Sequence, residues 1–303
     1  MPPSTVQGES TFKRLSRNKA FGYFIAILAL GLSFFALCCF AITVYPIDAR
    51  MQTPGKWVFG VDWKEFIGPD VRVLLSGGNP YLQQYAVMND AHGLYPPWAY
   101  LLLSPLTLFT PGLGSVFIFS ITYFAFAVVL WKLQYRWSLI LLILLSPFIY
   151  QCAWSGNIDW LAALGFIMPA PIGLIFALIK PQVGIGIAIY WLAEAWREGK
   201  FVGVIKTFAP VAGLYVLSFL IYGFWPARLG QMPKYASAFY PATLLLGLYL
   251  LWQGLRNKKS TFAVAASPLI SPYTNFYSYG LALFAIDSPL YLAVTVVLAW
   301  LIH

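Results

Sequence analysis

Two kinds of side chain in this sequence could do chemistry: one lysine set in apolar sequence, and a few carboxylates. Lys180 interrupts the run LIFALIKPQVGIGIAIYWL (174–192) and is followed by Pro181 and Gln182. An ammonium at the centre of a bilayer costs about 2.5–3.5 kcal/mol on insertion scales. Proline beside it breaks the helix that would carry it. A phosphate would offset that cost through charge-assisted hydrogen bonds. The plainer alternatives are snorkelling to the headgroups and pairing with Asp159. Five of the ten acidic residues (Asp48, Asp62, Glu65, Asp70 and Asp90) fall in one stretch after the first apolar run. A carboxylate within hydrogen-bond reach of a hydroxyl is a general base. Asp62 stands at the first aromatic-rich turn, where the stretch should lie against a membrane, whereas Glu65, Asp70 and Asp90 read as solvated loop residues. Gln182, Arg72 and Arg228 could contact phosphate. His92, Tyr81, Tyr95, Asn157, Asp159 and Tyr273 are the other polar side chains that could line a binding site, although nineteen tyrosines mean that most are interfacial anchors.

The elements that must position these groups are helices in a bilayer. Hydrophobic residues make up 60% of the chain and charged ones 10%, too little charge for the surface of a soluble domain. The expected fold class is an all-α polytopic membrane protein. Residues 1–19 form a basic cytoplasmic tail, and 20–303 a single transmembrane domain. Its first span, 20–45, is long enough to cross and reads as an uncleaved anchor. Residues 46–112 form the first external loop. The net charge of +9 follows the positive-inside rule and does not call for nucleic acid. Twelve of the nineteen basic residues then lie inside: four in the tail, with Lys132, Arg136, Arg197, Lys200, Lys206, Arg256, Lys258 and Lys259. For Lys132 to be inside, only one of the runs 97–109 and 113–133 can cross. The first, about 20 Å as a helix, is expected to be juxtamembrane, and Asp62–Leu75 an interfacial helix. Shorter helices follow at 137–150, 157–168, 171–180, 182–196, 201–222, 240–255, 261–270, 276–286 and 289–302. Proline-broken backbone at membrane depth needs protein or a wet cavity around it. Gly156–Asn157 and Lys180–Gln182 should therefore ring an outward-facing polar cavity.

In order along the chain stand Asp62-x-x-x-Phe66, Gly77-Gly78-Asn79-Pro80-Tyr81, Tyr95-Pro96-Pro97, Gly156-Asn157, Lys180-Pro181-Gln182 and Ser271-Pro272-Tyr273. This order resembles the polyprenol-phosphate-mannose-dependent α-1,2-mannosyltransferases, glycosyltransferase family 87 of the GT-C superfamily, over about residues 20–286. The resemblance implies a GT-C-type helical bundle with a long first extracytoplasmic loop carrying juxtamembrane helices. Asp62 matches the family's first-loop aspartate, and Lys180 the lysine of its Lys-Pro motif. Three features depart from the family pattern. Asn157 stands where Gln is usual, Ser278 where Asp is frequent, and the segment 223–239 is short.

The expected function is inverting transfer of a sugar, mannose by the resemblance, from a polyprenyl-phosphate donor to a glycolipid or glycan hydroxyl. Asp62 is the base and Lys180 stabilises the leaving phosphate. Inversion follows from one displacement with one base; a retaining route would want a second close carboxylate. No obligatory cofactor is expected. An Asp62–Asp90 pair could hold a divalent metal, but no ligand spacing supports it. The expected site is the outer face of the cell membrane. The alternative is a multi-pass lipid or solute transporter or flippase with Lys180 as its substrate-binding charge.

Overall fold

The computed structural model describes residues 59–82, 93–227 and 239–302, all within one compact unit, Met51–His303. The proposed tail, the first span and the loop residues Arg228, His92 and Asp90 lie outside the described residues. Helix is the only regular structure among those described. A π-helical turn, Asp62–Ile67, runs into α1 (Gly68–Leu75), followed by α2 (Pro97–Leu103) and α3 (Pro111–Lys132). Next come α4 (Trp137–Leu144), α5 (Pro147–Ser155), α6 (Asp159–Leu164) and α7 (Ala170–Ala177). The last are α8 (Pro181–Tyr222), α9 (Leu244–Asn257), α10 (Ser260–Ile270), a 3-10 stretch Phe276–Ala285, and α11 (Pro289–Ile302).

Proline sets most of these starts. It occupies one of the first two positions of α1, α2, α3, α5, α7 and α8, where its missing N–H leaves no intrahelical bond unmade. Thr110 and Ser146 also cap α3 and α5 with their side-chain oxygens. The result is many short helices. Among the described residues only α3 and α8 are long and apolar enough to cross a membrane, with a third crossing if α4 and α5, bent by 53°, count as one broken span. The expected juxtamembrane segment 97–109 appears as α2 and a 3-10 turn (Ser104–Leu108), and the 113–133 crossing as α3. The segments 182–196 and 201–222, expected as separate, are two helices: the stretch numbered α8 is interrupted at Lys200, whose φ 50° and ψ −137° are not helical.

The interfacial helix is more deeply seated than its sequence implied. Trp63, Ile67, Val71 and Leu74 enter the core, and Asp70, read as a solvated loop acid, is buried. Asp70 Oδ2 accepts hydrogen bonds from the Gly93 N–H (2.8 Å) and the Tyr100 hydroxyl (2.9 Å). Sequence could not reveal this, because both donors lie more than twenty residues away. Elsewhere small residues let helices close up: the Gly186 N–H of α8 reaches Ser267 Oγ of α10 at 2.9 Å, the kind of packing that holds apolar helices together.

The long helices give the unit two distinct ends. The start of α3 packs on the Asp62 turn: a Cβ on Gly114 would lie 2.4 Å from Trp63 Nε1. Its other end is Lys132, about 33 Å away for 22 residues. Likewise α8 starts beside Lys180, and further along Arg197 donates to the Leu255 carbonyl near the end of α9 at 2.9 Å. Lys132, Arg136, Arg197, Arg256, Lys258 and Lys259 thus belong to the end remote from Asp62 and Lys180.

Candidate active site

Asp62 is held in place by glycine geometry. Gly60 has φ +71°, donates its N–H to the Trp154 carbonyl at 2.7 Å, and lies so close to α3 that a Cβ would fall 2.0 Å from Ser115 Oγ. The chain can therefore enter the Asp62 turn flush against α3 and α5. Gly156 ends α5 in the left-handed conformation (φ 75°, ψ 31°), which glycine adopts without the Cβ penalty. A Cβ there would lie 3.1 Å from Trp63 Cβ and 3.2 Å from Gly60 Cα. Gly156→Ala should therefore lower stability by about 1–2 kcal/mol from backbone strain alone. A thermal unfolding midpoint equal to wild type would show that the turn relaxes freely.

That turn delivers Asn157 to the centre of the site. Asn157 Nδ2 donates to Asp62 Oδ2 at 2.7 Å and to the Tyr277 hydroxyl at 2.6 Å. Asn157 Oδ1 accepts from Lys180 Nζ at 2.8 Å. An ammonium has only donors, so the amide must turn its oxygen to Lys180 and its nitrogen to Asp62. Lys180 also forms a salt bridge with Asp159, whose other oxygen accepts from the Ser278 hydroxyl at 2.6 Å. Lys180 Nζ sits 4.9 Å from the Tyr277 ring centroid, within cation–π range. The result is one polar row, Asp62, Asn157, Lys180, Asp159, Ser278, buried in all but its first member.

Lys180 is 1% exposed. Its backbone is extended (φ −126°, ψ 95°), as the residue before proline prefers, and Pro181 opens α8. Of the alternatives weighed from sequence, snorkelling does not occur and the Asp159 pair does. Even so, Lys180 lines a small cavity of about 30 Å³ with Leu94, Tyr95, Pro181, Gln182, Tyr273 and Asn275. The first turn of α8 opens on this cavity with no side-chain cap, and an uncapped helix N-terminus favours anions.

Asp62 is partly exposed as a residue but does not line this cavity. Tyr277 connects it to the cavity wall: its hydroxyl lies 3.5 Å from Asp62 Oδ2 and accepts from Asn275 Nδ2. Burial raises the Asp62 pKa above the usual carboxylate value of 3.8, an effect only partly opposed by the Asn157 hydrogen bond and the Lys180 charge. Tyr273 is pushed up to about 12, chiefly by burial and then by the Asp62 charge.

The other candidates divide. Tyr95 lines the cavity, its hydroxyl 3.5 Å from Asn157 Nδ2. Tyr81 does not; it packs on Tyr100, Tyr222 and Trp225 and donates to the Tyr95 carbonyl at 2.7 Å. Tyr81 and the Asp70–Tyr100 pair thus position Tyr95. Arg72 is exposed on α1 and does not line the cavity. Three site residues were not singled out from sequence: Tyr277, Asn275 and the pairing role of Ser278. The first two sit just beyond Ser271-Pro272-Tyr273, so that motif marked the segment without the side chains that matter. Among the described residues no three His, Cys, Asp or Glu side chains gather as a metal site. No family model, curated protein or solved structure matches the chain.

Proposed function

We propose that the protein is a polytopic membrane glycosyltransferase of GT-C type, moving a sugar from a polyprenyl-phosphate donor to a hydroxyl acceptor with inversion. The observation that carries this reading is the row joining Asp62 to Lys180 through one carboxamide, beside a cavity open to an uncapped helix start. In the proposed step the acceptor oxygen bonds to the anomeric carbon, the bond from that carbon to the phosphate oxygen breaks, and the acceptor proton passes to Asp62. Asp62 suits the base role better than Asp159, whose oxygens are committed to Lys180 and Ser278. A raised carboxylate pKa makes a stronger base.

The departing phosphate gains negative charge and needs fixed positive partners. Asp159 neutralises part of the Lys180 field, so in this reading the first turn of α8, with Gln182, supplies the rest. The apolar outer faces of the helices would take the isoprenoid tail. The gathering of basic residues at the end remote from the site supports an extracytoplasmic active site, because basic loops favour the cytoplasm. Mannose as the sugar, and the family itself, rest on the motif resemblance. The direct test is transfer of labelled sugar from a synthetic polyprenyl-phosphate sugar to a glycolipid acceptor by purified full-length protein. Binding and passage of the lipid across vesicles without any transfer would instead support the flippase reading.

A further inference from the structure

A second cavity, about 490 Å³, lies at the end remote from Asp62, between Leu133–Arg136, Leu139, Lys258–Thr261 and Asp287. Its walls carry Arg136, Lys258 and Lys259, and none of the three enters an ion pair among the described residues. Two helices start in this cavity, α4 with Arg136 at its N-cap and α10 with Lys259 at its N-cap, and neither start has a side-chain cap. A helix start carries partial positive charge and favours an acid or hydroxyl there. A cation at that position is the wrong sign for the start of α4; Lys259 stands between the end of α9, where a cation is favoured, and the start of α10, where it is not. Two helices also end in its wall: Gln134 (φ 65°) and Lys258 (φ 54°) are the left-handed caps that close α3 and α9, with the Tyr135 N–H on the Leu130 carbonyl (3.1 Å) and the Lys259 N–H on the Gly254 carbonyl (3.0 Å). The one carboxylate present, Asp287, directly precedes Ser288 and Pro289 at the start of α11, where its charge suits that helix.

We propose that this cavity binds the phosphate of an anionic phospholipid headgroup. The phosphate would supply the negative charge that both helix starts and all three cations lack. The lipid source follows from the helices leaving the rim. Leu141 on α4, its C-cap Leu145, and Leu290 and Val294 on α11 are exposed and apolar, and α11 is tied to the end of α4 by Trp300 Nε1 donating to the Leu145 carbonyl at 2.9 Å. Acyl chains can lie along these faces while the headgroup sits between Arg136 and Lys258. The site is separate from the Asp62 row and does not depend on the proposed transfer reaction.

The test is native mass spectrometry of the purified full-length protein in detergent, titrated with phosphatidylglycerol or phosphatidylcholine. Wild type should retain phosphatidylglycerol at least about tenfold better, since each basic group near the lipid contributes to anion attraction. The triple variant Arg136→Gln, Lys258→Gln, Lys259→Gln should lose that preference. Should the triple variant not fold, Asp287→Asn serves as the second variant, and it should tighten phosphatidylglycerol binding several-fold. Equal retention of both lipids by wild type, undiminished preference in the triple variant, or no tightening with Asp287→Asn would each overturn the site. Displacement of the lipid by millimolar inorganic phosphate would overturn the lipid source in favour of free phosphate.

Discussion

Lys180→Met will destabilise the protein by about 3–5 kcal/mol, because it leaves the buried Asp159 carboxylate without its cation. The methionine fills similar space, so the loss comes from charge and not from a cavity. Asn157 Oδ1 loses one of its two donors at the same time, and the Ile158 N–H, at 2.7 Å, is left to orient the amide toward Asp62. Asp159→Asn in the Lys180→Met background should recover much of the loss, since it removes the stranded charge. Thermal unfolding in detergent of the two single variants and the double variant gives the coupling directly. Additive effects would mean that the pair does not act as a unit. Sugar transfer by the double variant, if it folds, then separates stability from catalysis: it should remain severely impaired, with a raised apparent constant for the donor.

Asp62→Asn should reduce transfer by about 10²–10⁴-fold, the usual contribution of general base catalysis, while leaving the fold largely intact. An amide oxygen can still accept the bond from Asn157 Nδ2 that the carboxylate accepts at 2.7 Å. Donor binding should also survive, because Lys180 and the start of α8 are unchanged. Undiminished turnover by this variant would remove Asp62 as the base. In wild type the rate should climb with pH through the raised Asp62 value and level off above it, because only the carboxylate accepts the proton. The sign for stability is the opposite. Burial makes the folded state hold this proton more tightly than the unfolded state does, so stability falls as pH rises from the ordinary carboxylate value to the raised one. A pH–rate profile and unfolding at several pH values check both directions.

The helix starts were legible because proline marks them at the residue level. The choice between 97–109 and 113–133 was legible because Lys132 had to reach the basic end. Asp62, Asn157, Asp159 and Lys180 were visible as unusual polar residues in a greasy chain, and they do converge. Their partners were not visible. Tyr277 is one tyrosine among nineteen, and nothing local distinguishes a ring placed over an ammonium from one anchored at an interface. Asp70 looked like a loop acid because its burial depends on Tyr100 and Gly93. Asn157 and Ser278, two of the three features that depart from the motif pattern the sequence resembles, both lie in the polar row. Asn157 bridges the acid and the cation, and Ser278 completes the acceptor set around Asp159. The sequence marked them as differences, and only the three-dimensional arrangement ties both to Lys180.

The polar row has a consequence for proton uptake. Lys180 and Asp159 cancel in formal charge, so the row is neutral when Asp62 is protonated and carries one negative charge when it is not. A phosphodiester arriving in the adjoining cavity adds a second anion and must make Asp62 hold its proton more firmly. By reciprocity, the donor then binds more tightly at low pH, whereas turnover demands the deprotonated acid. The kcat profile, which reports the loaded enzyme, should therefore lie to the alkaline side of the kcat/KM profile, which reports the empty one. Superimposable profiles would mean that the arriving anion never senses the acid.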